Sequence, residues 1–152
     1  QKWKVILHSG SSGYRLPTES EWEYAARGGQ LGAKDGFLYA GSNDIDEVAW
    51  YYGNCAAPDG IQRTRGVYGT KRPNQLGILH LSGNVNEWCW DWHGDYPANA
   101  GSDYTGPQEG SRRVFRGGSW LHSAENCRSA YRDLSYPDYR NDLIGFRLVF
   151  VP

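Results

Sequence analysis

The sequence predicts an α+β fold with little regular secondary structure, and three observations carry that prediction. The chain holds 20 Gly, 7 Trp and 11 Tyr in 152 residues, with few long periodic segments, so its core is expected to rest on aromatic side chains and tight backbone turns. One well-capped amphipathic helix is legible over 18–27. Two apolar ends of high β propensity, Arg113–Trp120 and Ile144–Phe150, enclose a polar, aromatic stretch, Leu121–Leu143, that follows neither the helical nor the strand period.

The elements follow in chain order. Lys4-Val5-Ile6-Leu7-His8 reads as a linker or edge strand, and Ser9–Gly13 as a loop. Thr18 is a good N-cap with Glu21 three residues on, a capping box behind Pro17. Trp22, Ala25 and Ala26 share one face, and Gly28-Gly29 ends the helix. The helix dipole accounts for Glu19, Glu21 and Glu23, which are read as structural. From Gln30 to Asn74 the chain is loop-rich, with Phe37-Leu38-Tyr39 and Val48–Tyr52 as packing segments. A Ser82-Gly83-Asn84 turn then feeds a strand in which Trp88, Trp90 and Trp92 alternate, and that tryptophan face is expected in the core. Asp95–Gly110 is another loop.

Composition excludes several classes. With 16 basic and 17 acidic residues the net charge is −1, so there is no broad basic field for nucleic acid and no polybasic membrane patch. No apolar run is long enough to span a bilayer. Cys55, Cys89 and Cys127 show no zinc spacing and allow one disulfide at most. The stretch Leu121–Leu143 combines Tyr with Ser, Asn and Asp, a composition suited to adaptable contact surfaces and equally to a solvated loop.

Gly13–Gly29, Ser82-Gly83-Asn84-Val85 with Glu87-Trp88, Arg116-Gly117-Gly118-Ser119-Trp120, Cys127-Arg128, Arg132 and Gly145-Phe146-Arg147-Leu148 together resemble the formylglycine-generating enzyme, or sulfatase-modifying factor, family. The resemblance implies a C-type-lectin-like domain, of which 1–152 would be the C-terminal portion, lacking an N-terminal section with which it would associate. In catalytic members two cysteines five positions apart bind copper. Here Cys127 matches the second position and His122 occupies the first, so a two-thiolate site is not expected. The resemblance also implies a calcium site at the backbone carbonyls of Gly83 and Val85 and the side chain of Glu87, with His80 where an Asp or Asn is usual. The competing expectation is that backbone amides hold Glu87 while Asn84 fixes the turn. No cofactor is otherwise required.

The closing segment, 113–150, is similar to the variable region of proteins diversified by retroelements, as in treponemal surface lipoproteins. That likeness implies codon randomisation at Leu121, His122, Ser123, Asn126, Tyr131, Asp133, Leu134, Ser135, Tyr136, Asp138, Tyr139, Asn141, Asp142 and Leu143, whose residue types all fit it. Ala124, Cys127, Arg128, Ala130, Arg132, Pro137 and Arg140 would form the scaffold, through buried small residues and guanidinium hydrogen bonds. Tyr131, Tyr136 and Tyr139 would be anchors, Asp133, Asp138 and Asp142 acceptors, and Trp120 sits at the edge with a core role favoured. The implied function is a non-catalytic binding module at the cell surface or outside the cell. Its ligand would be a protein or host-surface molecule, or alternatively a glycan. The competing function is a formylglycine-generating or related metal-dependent oxidase acting on a protein or thiol.

Overall fold

A computed structural model describes residues 12–69, 71–101 and 103–152, so the strand expected at 4–8 lies outside the described residues. The elements are β1 (Gly13–Arg15), α1 (Glu19–Ala26), α2 (Gly29–Gly32), α3 (Ile45–Val48), β2 (Asn86–Trp92), β3 (Arg113–Arg116), a 3-10 turn (Ala124–Cys127), β4 (Arg132–Ser135), β5 (Ile144–Gly145) and β6 (Val149–Val151). The strands form a four-stranded sheet in the order β4-β3-β2-β5 and a two-stranded ribbon of β1 and β6. Pairing is antiparallel except between β2 and β5. The α+β expectation holds. No helix among the described residues is long and apolar enough to cross a membrane.

α1 begins where the capping box places it. Thr18 Oγ1 accepts from the Glu21 amide at 3.2 Å, and the Glu21 carboxylate accepts from the Thr18 amide at 2.8 Å. Its inner face carries Trp22 and Ala26, which pack with Ala40, Leu81, Cys89 and Val114 as the central core cluster. Gly28, at φ 82°, ends the helix in the left-handed region, where a side chain would also collide with Gln75.

Two packing expectations are corrected. The strand at β2 forms and its side chains alternate, but the buried face belongs to Glu87, Cys89 and Asp91, leaving Trp88, Trp90 and Trp92 only half-buried. The inner position is already filled by Trp22 of α1, whose indole Nε1 donates to Glu87 Oε2 at 2.7 Å. The tryptophans instead pack along the opposite face. Trp88 meets Phe115 edge to face, and the Arg113 guanidinium lies 3.6 Å from the Trp92 ring centre. In the loop-rich region Leu38 and Tyr52 are exposed, so the packing segments there reduce to Phe37 and Tyr39, each partly covered, and Val48–Tyr51. All three cysteines are buried and unbridged.

Candidate ligand-binding surface

The surface is built outward from β3. Beyond Arg116 the chain turns through Gly117 (φ 97°) and Gly118 (φ 73°), conformations that L side chains rarely adopt. A Cβ at Gly118 would stand 2.7 Å from Cys127 Sγ, so only glycine lets the 3-10 turn close against this corner. Cys127 and Ser129 are thereby buried, and the Ser129 amide donates to the Leu38 carbonyl at 2.8 Å.

Two guanidinium groups fix the returning chain to α1. Arg116, itself fully buried, donates to the Ser129 and Ala130 carbonyls and lies against Glu19 at 3.3 Å and against Glu23. Arg132 holds Glu19 through two bonds and the Gly94 carbonyl through a third. Asp91 Oδ2 accepts from the Glu19 amide at 2.7 Å. Glu19 is therefore more than a dipole partner: it is a buried carboxylate shared by two arginines, which the helix-start reading missed.

On this frame the residues expected to vary all reach solvent. Leu121, Ser123, Tyr136, Asp138, Tyr139, Asn141 and Asp142 are exposed, and His122, Asn126, Tyr131, Asp133, Leu134, Ser135 and Leu143 are half-buried. The segment is less irregular than expected, because Arg132–Ser135 pairs with β3 as an edge strand. Its polar sequence, RDLS, hides the strand: an edge position needs no apolar alternation. The register places Asp133 opposite Phe115 and Ser135 opposite Arg113, on the tryptophan side of the sheet.

The expected scaffold is partly corrected. Cys127 and Arg132 serve it, Ala124 is half-buried, and Arg128 bonds the Glu125 carbonyl while exposed. Ala130, Pro137 and Arg140 are exposed, and the buried small residue of this stretch is Ser129. Here the chain crosses between the 3-10 turn and β4, and it is the Ala130 carbonyl, not its methyl group, that faces inward to Arg116.

Several contacts fix the loop ends. Trp120 is half-buried, and its indole N–H donates to the Asp142 carbonyl at 3.1 Å, tying the first residues of the segment to its last. The Asn86 amide donates to the Leu143 carbonyl at 2.8 Å. Tyr139 closes a turn onto the Tyr136 carbonyl, and its hydroxyl accepts from Asn141 Nδ2 at 3.0 Å. Tyr136 stacks beneath Arg112. A residue from outside the segment joins the surface too: the Tyr52 amide donates to the His122 carbonyl at 3.0 Å, and its ring is exposed beside the variable positions. In the sequence only the aromatic run Trp50-Tyr51-Tyr52, read there as a packing segment, points to it.

The donors present do not suit a metal. Burial pushes the Cys127 thiol up to about 12, so it is no ready thiolate, and burial also lowers the His122 imidazole despite the nearby Asp133. At the implied calcium position, Glu87 Oε2 accepts from Arg147 Nε at 2.6 Å as well as from Trp22, and Oε1 accepts from Arg147 Nη2 at 2.7 Å. Glu87 is held by an arginine and an indole rather than by backbone amides. Asn84, at φ 67°, does fix the turn, its side chain bridging both backbone groups of Arg65. His80 Nε2 is engaged with the Val67 carbonyl. Among the described residues no cluster of His, Cys, Asp and Glu could hold a metal ion.

Known proteins resemble this chain in overall structure or in sequence. Treponema denticola variable protein 1 superposes with a TM-score of 0.80 at 39% identity, over 93% of this chain and 49% of that one. The Chaperone protein LppX of Paenibacillus barcinonensis is 40% identical over 142 residues, 86% of this chain and 46% of that protein. The formylglycine-generating enzyme of Streptomyces coelicolor is 38% identical over 150 residues, 90% of this chain and 46% of the enzyme. The chain thus spans about half the length of the curated relatives it matches. Residues 2–151 match the Sulfatase-modifying factor enzyme 1-like domain, and the chain belongs to that family.

Proposed function

We propose that this chain is a non-catalytic binding module that displays a diversified, Tyr-rich surface at the outside of a cell, for a protein or host-surface ligand. One observation carries the reading: every position expected to vary reaches solvent, while the residues that hold the segment, Arg116, Cys127 and Ser129, are buried. Substitution at the first set leaves the second untouched, which is the requirement for a surface that changes without unfolding. Likeness to a protein named for its variability supports the same reading. Tyr136 and Tyr139 offer large, lightly restrained rings, with Asp138 and Asp142 beside them as acceptors.

Deep sequencing of the codons for Arg113–Phe150 across a population of source cells tests this. Substitution confined to the named positions is expected. A fixed segment would remove the reading.

The oxidase alternative draws on the formylglycine-generating relatives. It calls for a copper-dependent activity on a thiol-bearing peptide, and a single protonated, buried Cys127 is a poor basis for it.

A further inference from the structure

We infer that the outer edge of β4 is a docking site for the main chain of an extended segment of the protein ligand, which adds itself to the sheet beside β4. In the order β4-β3-β2-β5, β4 lies at one end, so only one of its edges is paired. At the start of β3 the Arg112 carbonyl serves the β2 side, accepting from the His93 amide at 2.8 Å. Backbone groups of successive strand residues point to alternate sides, so Arg113 and Phe115 turn theirs toward β4, where Ser135 and Asp133 stand opposite them. The N–H and C=O groups of Arg132 and Leu134 therefore point out of the sheet. One contact agrees with this: the Leu134 amide donates to the side chain of its own neighbour, Asp133 Oδ1, at 2.8 Å. Among the described residues no other segment of backbone bonds the outward groups, and all four residues of β4 are half-buried rather than enclosed.

Donors and acceptors repeated every second residue along a strand edge match the backbone of another extended chain. The inference rests on the binding-module reading and specifies its partner, a protein that offers such a segment. It also meets a requirement of that reading. Randomised side chains supply no dependable contact, whereas backbone N–H and C=O groups persist through every substitution but that to Pro. Arg132 holds the edge in place through Glu19. Asp133 and Ser135 project on the tryptophan side, and Tyr136, 56% exposed, stands just beyond the strand, so side chains of the added segment meet positions expected to vary. The Asp133 carboxylate yields the Leu134 amide to the incoming carbonyl.

The test is made on the full-length protein. The probe is a peptide of about eight residues, alternating Thr and Val with uncharged ends, beside the same peptide N-methylated at adjacent central residues. The side chains are identical, and only the backbone edges of the second peptide are blocked. Binding is followed through the backbone amide resonances of the protein. Millimolar parent peptide should shift those of Arg132 and Leu134 above all others, and the N-methylated peptide should bind at least about tenfold more weakly. Leu134→Pro removes the outward donor without removing a bond to β3, and should bind the parent peptide at least about tenfold more weakly than Leu134→Ala, which keeps that donor. Equal binding of the two peptides, no binding of the parent, shifts centred away from β4, or undiminished binding by a folded Leu134→Pro would each overturn the inference. The peptide comparison decides it without any variant. None of these outcomes bears on whether the codons of the display segment vary, so failure here and failure of the binding-module reading are told apart.

Discussion

Arg132 grips Glu19 through two bonds, Nε to Oε1 at 2.9 Å and Nη2 to Oε2 at 2.6 Å, joining the start of α1 to the first residue of β4. The three residues that follow on β4 are all expected display positions, so this ion pair anchors the strand that presents them. Glu19 also faces Arg116, whose side chain is fully buried. Glu19→Ala therefore strands one guanidinium and weakens the hold on another. Urea unfolding should show a loss of about 3 kcal/mol, whereas Glu125→Ala on the exposed turn should leave the unfolding midpoint essentially unchanged. Equal effects would mean that the Glu19 network contributes little.

Burial raises the Asp91 carboxyl from 3.8 to about 6. A folded-state value above the unfolded one means that the native chain keeps a proton the unfolded chain releases. The stability linked to this group is complete below the unfolded value and is lost as pH rises through about 6. Arg15 acts oppositely on Glu21, holding it below its ordinary range, so total stability alone is not diagnostic. The difference between wild type and Asp91→Asn isolates the group. Asp91→Asn should gain about 2 kcal/mol relative to wild type between pH 4 and pH 7, read by denaturant unfolding at each pH. A pH-independent difference would show that Asp91 titrates normally.

How far the sequence foretells this architecture depends on the element. α1 is legible to the residue, because a capping box and a left-handed glycine stop are local chemistry. β2 is legible as a strand but not in its facing. Tryptophan is the larger apolar side chain, yet the inner side is decided by Trp22 arriving from α1, a long-range event that alternation cannot reveal. β4 is hidden because an edge strand with polar residues has no period to read. The burial of Glu19 is hidden because its partners lie 97 and 113 residues away, at Arg116 and Arg132. The positions expected to vary rest on the resemblance to retroelement-diversified proteins and on residue type, not on any period; Tyr52, brought beside them through one backbone bond to His122, carries no such signal.

Cys55, Cys89 and Cys127 are all buried, and burial holds the Cys89 and Cys127 thiols above their ordinary range. Native protein at pH 8 should react with a chromogenic disulfide reagent at least about 100-fold more slowly than unfolded protein, which should titrate three thiols. Rapid native modification of Cys127 would revive a redox role for that position.

Tyr136 and Tyr139 are about half exposed, at 56% and 47%, and neither belongs to the core cluster. Replacing both with Ala should change stability by no more than about 0.5 kcal/mol in a thermal melt. A ligand recovered by this surface should bind the double variant at least about tenfold more weakly by calorimetry. A large loss of stability would instead make the two rings part of the folded framework.

Calcium gives the last prediction. Both Glu87 oxygens accept from Arg147, and the indole of Trp22 adds a third bond, so a divalent cation would have to displace a guanidinium already 2.6 Å away. A cation bound to the native state would raise the melting temperature with concentration. The melting temperature should therefore be the same in excess chelator and in millimolar calcium. Arg147→Gln, by contrast, leaves Glu87 buried with the indole as its strongest remaining partner and should cost about 3 kcal/mol. If calcium restores that loss in the variant while leaving the wild-type chain unaffected, Arg147 occupies the place of the cation and the carboxylate has kept its capacity to bind one.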